Sequence, residues 1–177
     1  MSAVLQFPQR STEYLSTTEL AKHIRGILRE RFPSCTFSVR SSTYSGGSSI
    51  RIHWTDGPTR GYVESLVKNL EGSSFDGMID LKSSRHAMLN GKQILTDFIF
   101  CERKLSAACL KRTIQAVGLR YHAPRESWPS VIEDQYDPRL DNASDTTSPV
   151  LNTNGERHWT WQSLVWRAAE DRTTLAP

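Results

Sequence analysis

Three carboxylates make the strongest case for chemistry in this chain. Asp76 and Asp80 stand four residues apart in FDGMIDL, on one side of the segment if it is extended, and Asp97 lies in the apolar run that follows. With His53 nearby, oxygen ligands in that arrangement suit Mg²⁺. The competing reading is structural: Asp76-Gly77 makes a turn or bulge, and the other carboxylates are solvated or pair with arginine. The structural reading is favoured, so neither a metal nor a cofactor is expected. No P-loop, GxSxG, HExxH or paired CxxC is present, and no residue is assigned a catalytic role. A second candidate is the small-residue loop Ser41, Ser42, Ser45, Gly46, Gly47, Ser48 and Ser49, whose backbone N–H groups suit a phosphate. A hairpin tip asks for the same residues, and that reading is preferred. Tyr44, inside this loop, either folds back over the sheet or is offered to a base or a partner surface.

Cations and tryptophans supply the binding candidates. Lys22, Arg25 and Arg29 share one face of a helical segment, whereas Arg40, Arg51 and His53 alternate outward on two strands. Helix and outward strand face lie on opposite sides of a sheet, so these form two patches rather than one groove. Trp54 alternates with His53 and faces the core, so the exposed aromatic pair of sheet-based RNA readers is not expected. Near the C-terminus, Trp159 and Trp161 read as core or as a partner surface. Trp166 points away from the apolar stripe of its helix. Tyr44, Trp159, Trp161 and Trp166 are the candidate partner-binding residues.

Composition narrows the class. The 177 residues suit one domain and a tail. Mean hydropathy is −0.49, and no apolar run approaches the roughly 18 residues of a membrane helix. The N-terminal MSAVLQFPQR lacks the pattern of a secretory signal, and the cytoplasm is the expected location. Cys35, Cys101 and Cys109 read as buried thiols rather than a disulfide framework. Residues 1–123 hold 17 Lys/Arg against 10 Asp/Glu, while 124–177 hold 5 against 9. Such a basic body suits an acidic partner or an acidic tail folded over it.

The elements that position these residues follow from periodicity and caps. Ser16-Thr17-Thr18-Glu19 is a capping box, followed by Leu20, Ile24, Ile27 and Leu28 at helical spacing. Cys35, Phe37 and Val39 alternate inward, as do Ile50, Ile52 and Trp54, which predicts a hairpin with an elaborated tip over 41–47. Asp56-Gly57-Pro58 turns the chain, with Pro58 in the first turn of a second helix carrying Val63, Leu66, Val67 and Leu70 and stopped by Gly72. Residues 75–81 read as a short strand interrupted at Gly77, and 94–101 as an interior strand apolar on both faces. Ser106 caps a third helix, ended by Gly118. The order α-β-β-α-β-β-α predicts an α+β fold with a single antiparallel or mixed sheet of three to four strands and helices on one face. An arm (1–15), this domain (16–123), a polar linker (124–156) anchored by Trp128, Val131, Ile132, Tyr136 and Leu140, and a C-terminal amphipathic helix (157–173) capped by Thr160 complete the expected organisation.

RERFPSCTFSVRSSTYSGGSSIRIHWTDGPT, VESLVKNLEGSSFDGMIDLK and DFIFCERKLS, in that order, resemble the large polyvalent protein-associated domain family of type 29, over roughly residues 18–106. The resemblance implies a setting in phages, conjugative plasmids and related mobile elements, whose polyvalent proteins are thought to enter a recipient cell with the DNA and protect it. It transfers no catalytic residue. Together with the Trp-rich end, it implies a non-enzymatic accessory protein that binds a host defence protein, as an anti-restriction or anti-CRISPR factor. The alternative is a nucleic-acid-binding module that uses the basic residues Lys22, Arg25, Arg29, Arg40, Arg51 and His53.

Overall fold

The computed structural model describes residues 13–133, 138–141 and 159–171. A two-residue strand, β1 (Tyr14–Leu15), leads into α1 (Thr17–Arg31). Ser16 starts that helix as its capping residues require: the Ser16 hydroxyl accepts from the Glu19 N–H, and the Glu19 carboxylate accepts from the Ser16 N–H at 2.9 Å. β2 (Phe37–Tyr44) and β3 (Gly47–Thr55) then form an antiparallel hairpin, and β8 (Phe98–Lys104) adds to β3 in parallel. In the resulting order β2-β3-β8, the inward residues Val39, Ile52 and Cys101 share one row, and Ile50 pairs with Ile99 on the next. α1 covers this face with Leu20, Ala21, Ile24 and Leu28; α2 (Arg60–Val67) adds Val63 and Val67, completing the first core.

The hairpin departs from expectation at its tip. The ladder runs to the Tyr44–Gly47 pair, so only Ser45 and Gly46 turn, with Gly46 at φ +87°. Ser41, Ser42, Ser48 and Ser49 are strand residues, and the phosphate-cradling loop does not form. Two helix boundaries differ as well. Thr59 caps α2, leaving Pro58 just outside it, where its carbonyl accepts the Trp54 indole N–H at 3.0 Å. Gly72 does not stop a helix; a Cβ there would lie 2.7 Å from the Ile94 carbonyl oxygen, so only glycine lets the two backbones approach.

The single sheet is also a correction. Between α2 and β8, after a 3₁₀ turn at Lys68–Leu70, the chain makes β4 (Ser73–Asp76), β5 (Leu81–Ser84), β6 (Met88–Leu89) and β7 (Lys92–Ile94). Among the described residues β4 pairs only with β5, and β6 and β7 pair with each other, with β1 parallel to β7. The fold is α+β with small sheets of 3, 3, 2 and 2 strands rather than one sheet. The reason is local reversal: Gly77 belongs to the turn of a hairpin, Asp80 adopts φ +50°, and each short strand meets its own neighbour before it can reach the central sheet.

α3 (Ala107–Arg120) starts at Ser106, as expected, and runs through Gly118 instead of ending there. The Trp128 ring occupies the space a Cβ at position 118 would take, 2.4 Å away. Within the segment read as a linker, β9 (Val131–Ile132) pairs with β10 (Arg139–Leu140), and Leu140 is buried; Tyr136 lies outside the described residues. α4 (Trp161–Glu170), capped by Thr160, packs on α3 through Trp161, Leu164, Val165 and Ala169. These residues form a second core with Leu105, Cys109, Leu110, Ile114 and Val117. The turn at Asp56 couples the two cores. The Asp56 carboxylate accepts from the Ser106 N–H (2.8 Å) and hydroxyl (2.7 Å), and Arg103 donates to the carbonyls of Asp56, Gly57 and Ala169. Among the described residues no helix is long and apolar enough to cross a membrane.

Candidate nucleic-acid interface

Alternation along three strands builds a face that no helix among the described residues covers. Side chains at even positions of β2 and β8 and odd positions of β3 point away from α1. Register sets them in rows: Ser38, His53 and Glu102; Arg40, Arg51 and Phe100; Ser42, Ser49 and Phe98; with Thr55 beside Lys104 at the end. Arg40 and Arg51 stand directly opposite each other, an arrangement that costs stability unless an anion relieves it. The Arg51 guanidinium lies 5.7 Å from the Phe100 ring centre. Phe98 and Phe100 are 6.3 Å apart, centre to centre, and Phe100 is 49% exposed.

These phenylalanines correct the expectation of a face without aromatics. β8 is an edge strand with only one face packed on helices, so the residues alternating with Ile99 and Cys101 remain open. The signal was present in FIFCERK: Phe98 and Phe100 share parity with Glu102 and Lys104, whose charges mark the solvent side. The apolar run 94–101 is also not one strand, since it breaks at 95–97 and buries Thr96.

The electrostatics of the face are mainly cationic. Among the described residues, Arg40, Arg51 and Lys104 share these strands' outward side with Glu102, which lies 3.1 Å from His53. Beyond His53 a hollow of about 440 Å³ continues the surface, lined by Ser34, Thr36, Ser38, Thr55 and Lys104. At the opposite end Lys82, from the β4–β5 hairpin, pairs with Asp97 at 2.7 Å and lies 5.9 Å from the Phe98 ring centre. Asp97 also accepts from the Ser48 N–H (2.8 Å) and the Ser73 hydroxyl (2.7 Å). Burial alone raises its pKa, but the bonds from Lys82, Ser73 and Ser48 outweigh burial and hold it below the usual carboxylate range.

Of the other candidates, Lys22, Arg25 and Arg29 lie on exposed positions of α1, on the far side of the sheet, and Arg25 donates to the Val39 carbonyl of β2. Tyr44 ends β2 at 53% exposure. Trp159 is 47% exposed with Arg167 over its ring at 5.4 Å, and Trp166 is 36% exposed. Trp161 is a correction: it is fully buried in the second core, because its position in the stripe of α4 places the ring against α3, and it offers no surface to a partner. The three carboxylates do not converge. The Asp76 carboxylate accepts from the Met78 N–H as a turn, Asp80 sits in the same turn, and Asp97 is tied to Lys82. Among the described residues no three of His, Cys, Asp and Glu gather to hold a metal. A feature that sequence reasoning did not single out is the β4–β5 hairpin, which exposes Phe75, Met78, Ile79 and Leu81 together.

The described residues form an α+β body whose open sheet face is mainly cationic and carries two phenylalanines. The model of the large polyvalent protein associated domain 29 matches residues 15–106, and the chain belongs to that family, whose setting is phages and other mobile elements. The matched region spans the central sheet, both helices of the first core and the exposed hairpin. No curated protein and no solved structure matches the chain significantly.

Proposed function

We propose that this protein is a mobile-element accessory factor that binds nucleic acid, without catalysis, on the open face of the sheet formed by β2, β3 and β8. The observation that carries the reading is the row Arg40–Arg51–Phe100, two opposed cations beside an exposed ring. Its chemistry fits phosphates and bases together. If Arg40 and Arg51 each neutralise one phosphate, affinity for a single strand falls with log salt at a slope of about −1.4. Fluorescence anisotropy of a labelled oligonucleotide across a salt series tests this. Replacing Arg40 and Arg51 with Glu is expected to remove binding, and salt-independent or unchanged binding in that variant refutes the proposal. Lys22, Arg25 and Arg29, on α1 at the opposite side of the sheet, are expected to contribute little.

A second reading is counter-defence of the anti-restriction or anti-CRISPR type, by binding a host defence protein in the cytoplasm. It is favoured by the exposed hairpin residues Phe75, Met78, Ile79 and Leu81, an apolar cluster of the kind that marks interaction sites. Tyr44, Trp159 and Trp166 are further exposed rings available to such a partner. Protection of an incoming plasmid that survives the Arg40/Arg51 reversal but is lost on Met78→Asp and Ile79→Asp would select this reading.

A further inference from the structure

We infer, resting on the nucleic-acid reading above, that the face selects unpaired strands, with Phe98 and Phe100 as the platforms on which two bases stack. Both rings project from one strand, two residues apart, and their centres are 6.3 Å from each other. Bases within a duplex are about 3.4 Å apart and cover each other's faces. A duplex therefore has no free base face to lay on either ring and meets the phenylalanines only with its phosphates. An unstacked strand can spread consecutive bases over nearly twice the duplex spacing and lay each on a ring.

The cations around the rings fit the same occupant. Arg51 lies over Phe100 and Lys82 near Phe98. A base that takes the place of the guanidinium gives up an exposed cation–π contact worth about a two- to fivefold change in equilibrium. Stacking one base on an aromatic side chain gains about five- to 150-fold. The displaced Arg51 remains beside Arg40, where a phosphate relieves the repulsion between them. Glu102 and His53, 3.1 Å apart, form the next row toward Lys104, so beside the rings the strand's phosphates meet Arg40 and Arg51.

The test compares labelled oligo-dT and oligo-U of about 15 nucleotides with a duplex of equal length, by anisotropy, on the full chain. Single strands of either type are expected to bind at least about tenfold more tightly than the duplex. Phe100→Ala is expected to weaken single-strand binding by about five- to 150-fold and leave duplex binding unchanged. Phe100→Tyr is expected to retain it and Phe100→Leu to lose it, which separates a ring from mere apolar area. Because Phe100 is half exposed, circular dichroism should show these variants folded. Equal affinity for single strand and duplex, or a Phe98→Ala/Phe100→Ala variant that binds normally while Arg51→Ala does not, would overturn stacking and leave a phosphate-binding face. Absence of binding to every probe would overturn both this inference and the reading beneath it.

Discussion

Two glycines in helices should respond to the same substitution with opposite signs. Gly26 lies in α1 with nothing within 4 Å of an added Cβ, whereas at Gly118 in α3 the Cβ would sit 2.4 to 2.6 Å from the Trp128 ring. Helix propensity favours alanine over glycine by about 0.8–1 kcal/mol at either site. Gly26→Ala keeps all of that gain, so Tm is expected to rise by about 2–4 °C. At Gly118 the ring must move, and Trp128 is pinned: its indole N–H donates to the Ala123 carbonyl at 3.1 Å, and Arg125 lies over the ring. Overpacking of this kind costs about 1–3 kcal/mol, and loss of the indole bond adds about 0.5–1.5 kcal/mol. Net of propensity, Gly118→Ala should destabilise by about 0.5–3.5 kcal/mol. Thermal and urea melts of both variants measure this, and a double-mutant cycle with Trp128→Ala isolates the cause. In the Trp128→Ala background Gly118→Ala should become stabilising, like Gly26→Ala. If Gly118→Ala is stabilising with Trp128 intact, the packing argument is wrong.

Asp97→Asn is expected to lower stability near neutral pH and to have less effect in acid. The native pKa of Asp97 is lowered, so its contribution is present above the ordinary carboxylate pKa, about 3.9, and is lost as pH falls through the native value. Melts of both proteins from about pH 7 to pH 3 should show the gap closing below about pH 4, and a constant gap would contradict the assignment. Glu71, buried, accepts from both the Ile99 N–H and Lys68 Nζ at 2.7 Å, so Glu71→Ala should cost about 1–3 kcal/mol by urea denaturation and speed exchange of the Ile99 amide. Burial pushes the Cys101 thiol up to about 12, so a disulfide reagent at mildly alkaline pH should leave it unmodified until the protein unfolds. Labelling of Cys101 in the folded protein would show that this edge of the sheet opens.

Local chemistry determined much of what this chain becomes. Ser16 and Glu19, Ser106, and Thr160 mark helix starts through groups within three residues of one another, and those starts are where the caps require them. The inward alternation of Val39, Ile50, Ile52 and Trp54 was legible for the same reason, as was the outward placement of Arg40, Arg51 and His53. What tertiary structure alone decided is who meets whom over long separations. β8 joins β3 in parallel across more than forty residues, and although the charges of Glu102 and Lys104 mark the side on which Phe98 and Phe100 lie, nothing within the strand says that it will pair with β3 beside Arg51. Gly118 reads as a helix stop until Trp128 is seen against it, and Trp161 reads as core or as a partner surface until α3 covers it. Caps and alternation depend on neighbours along the chain; pairing, burial and the composition of a binding face depend on partners brought together only by folding.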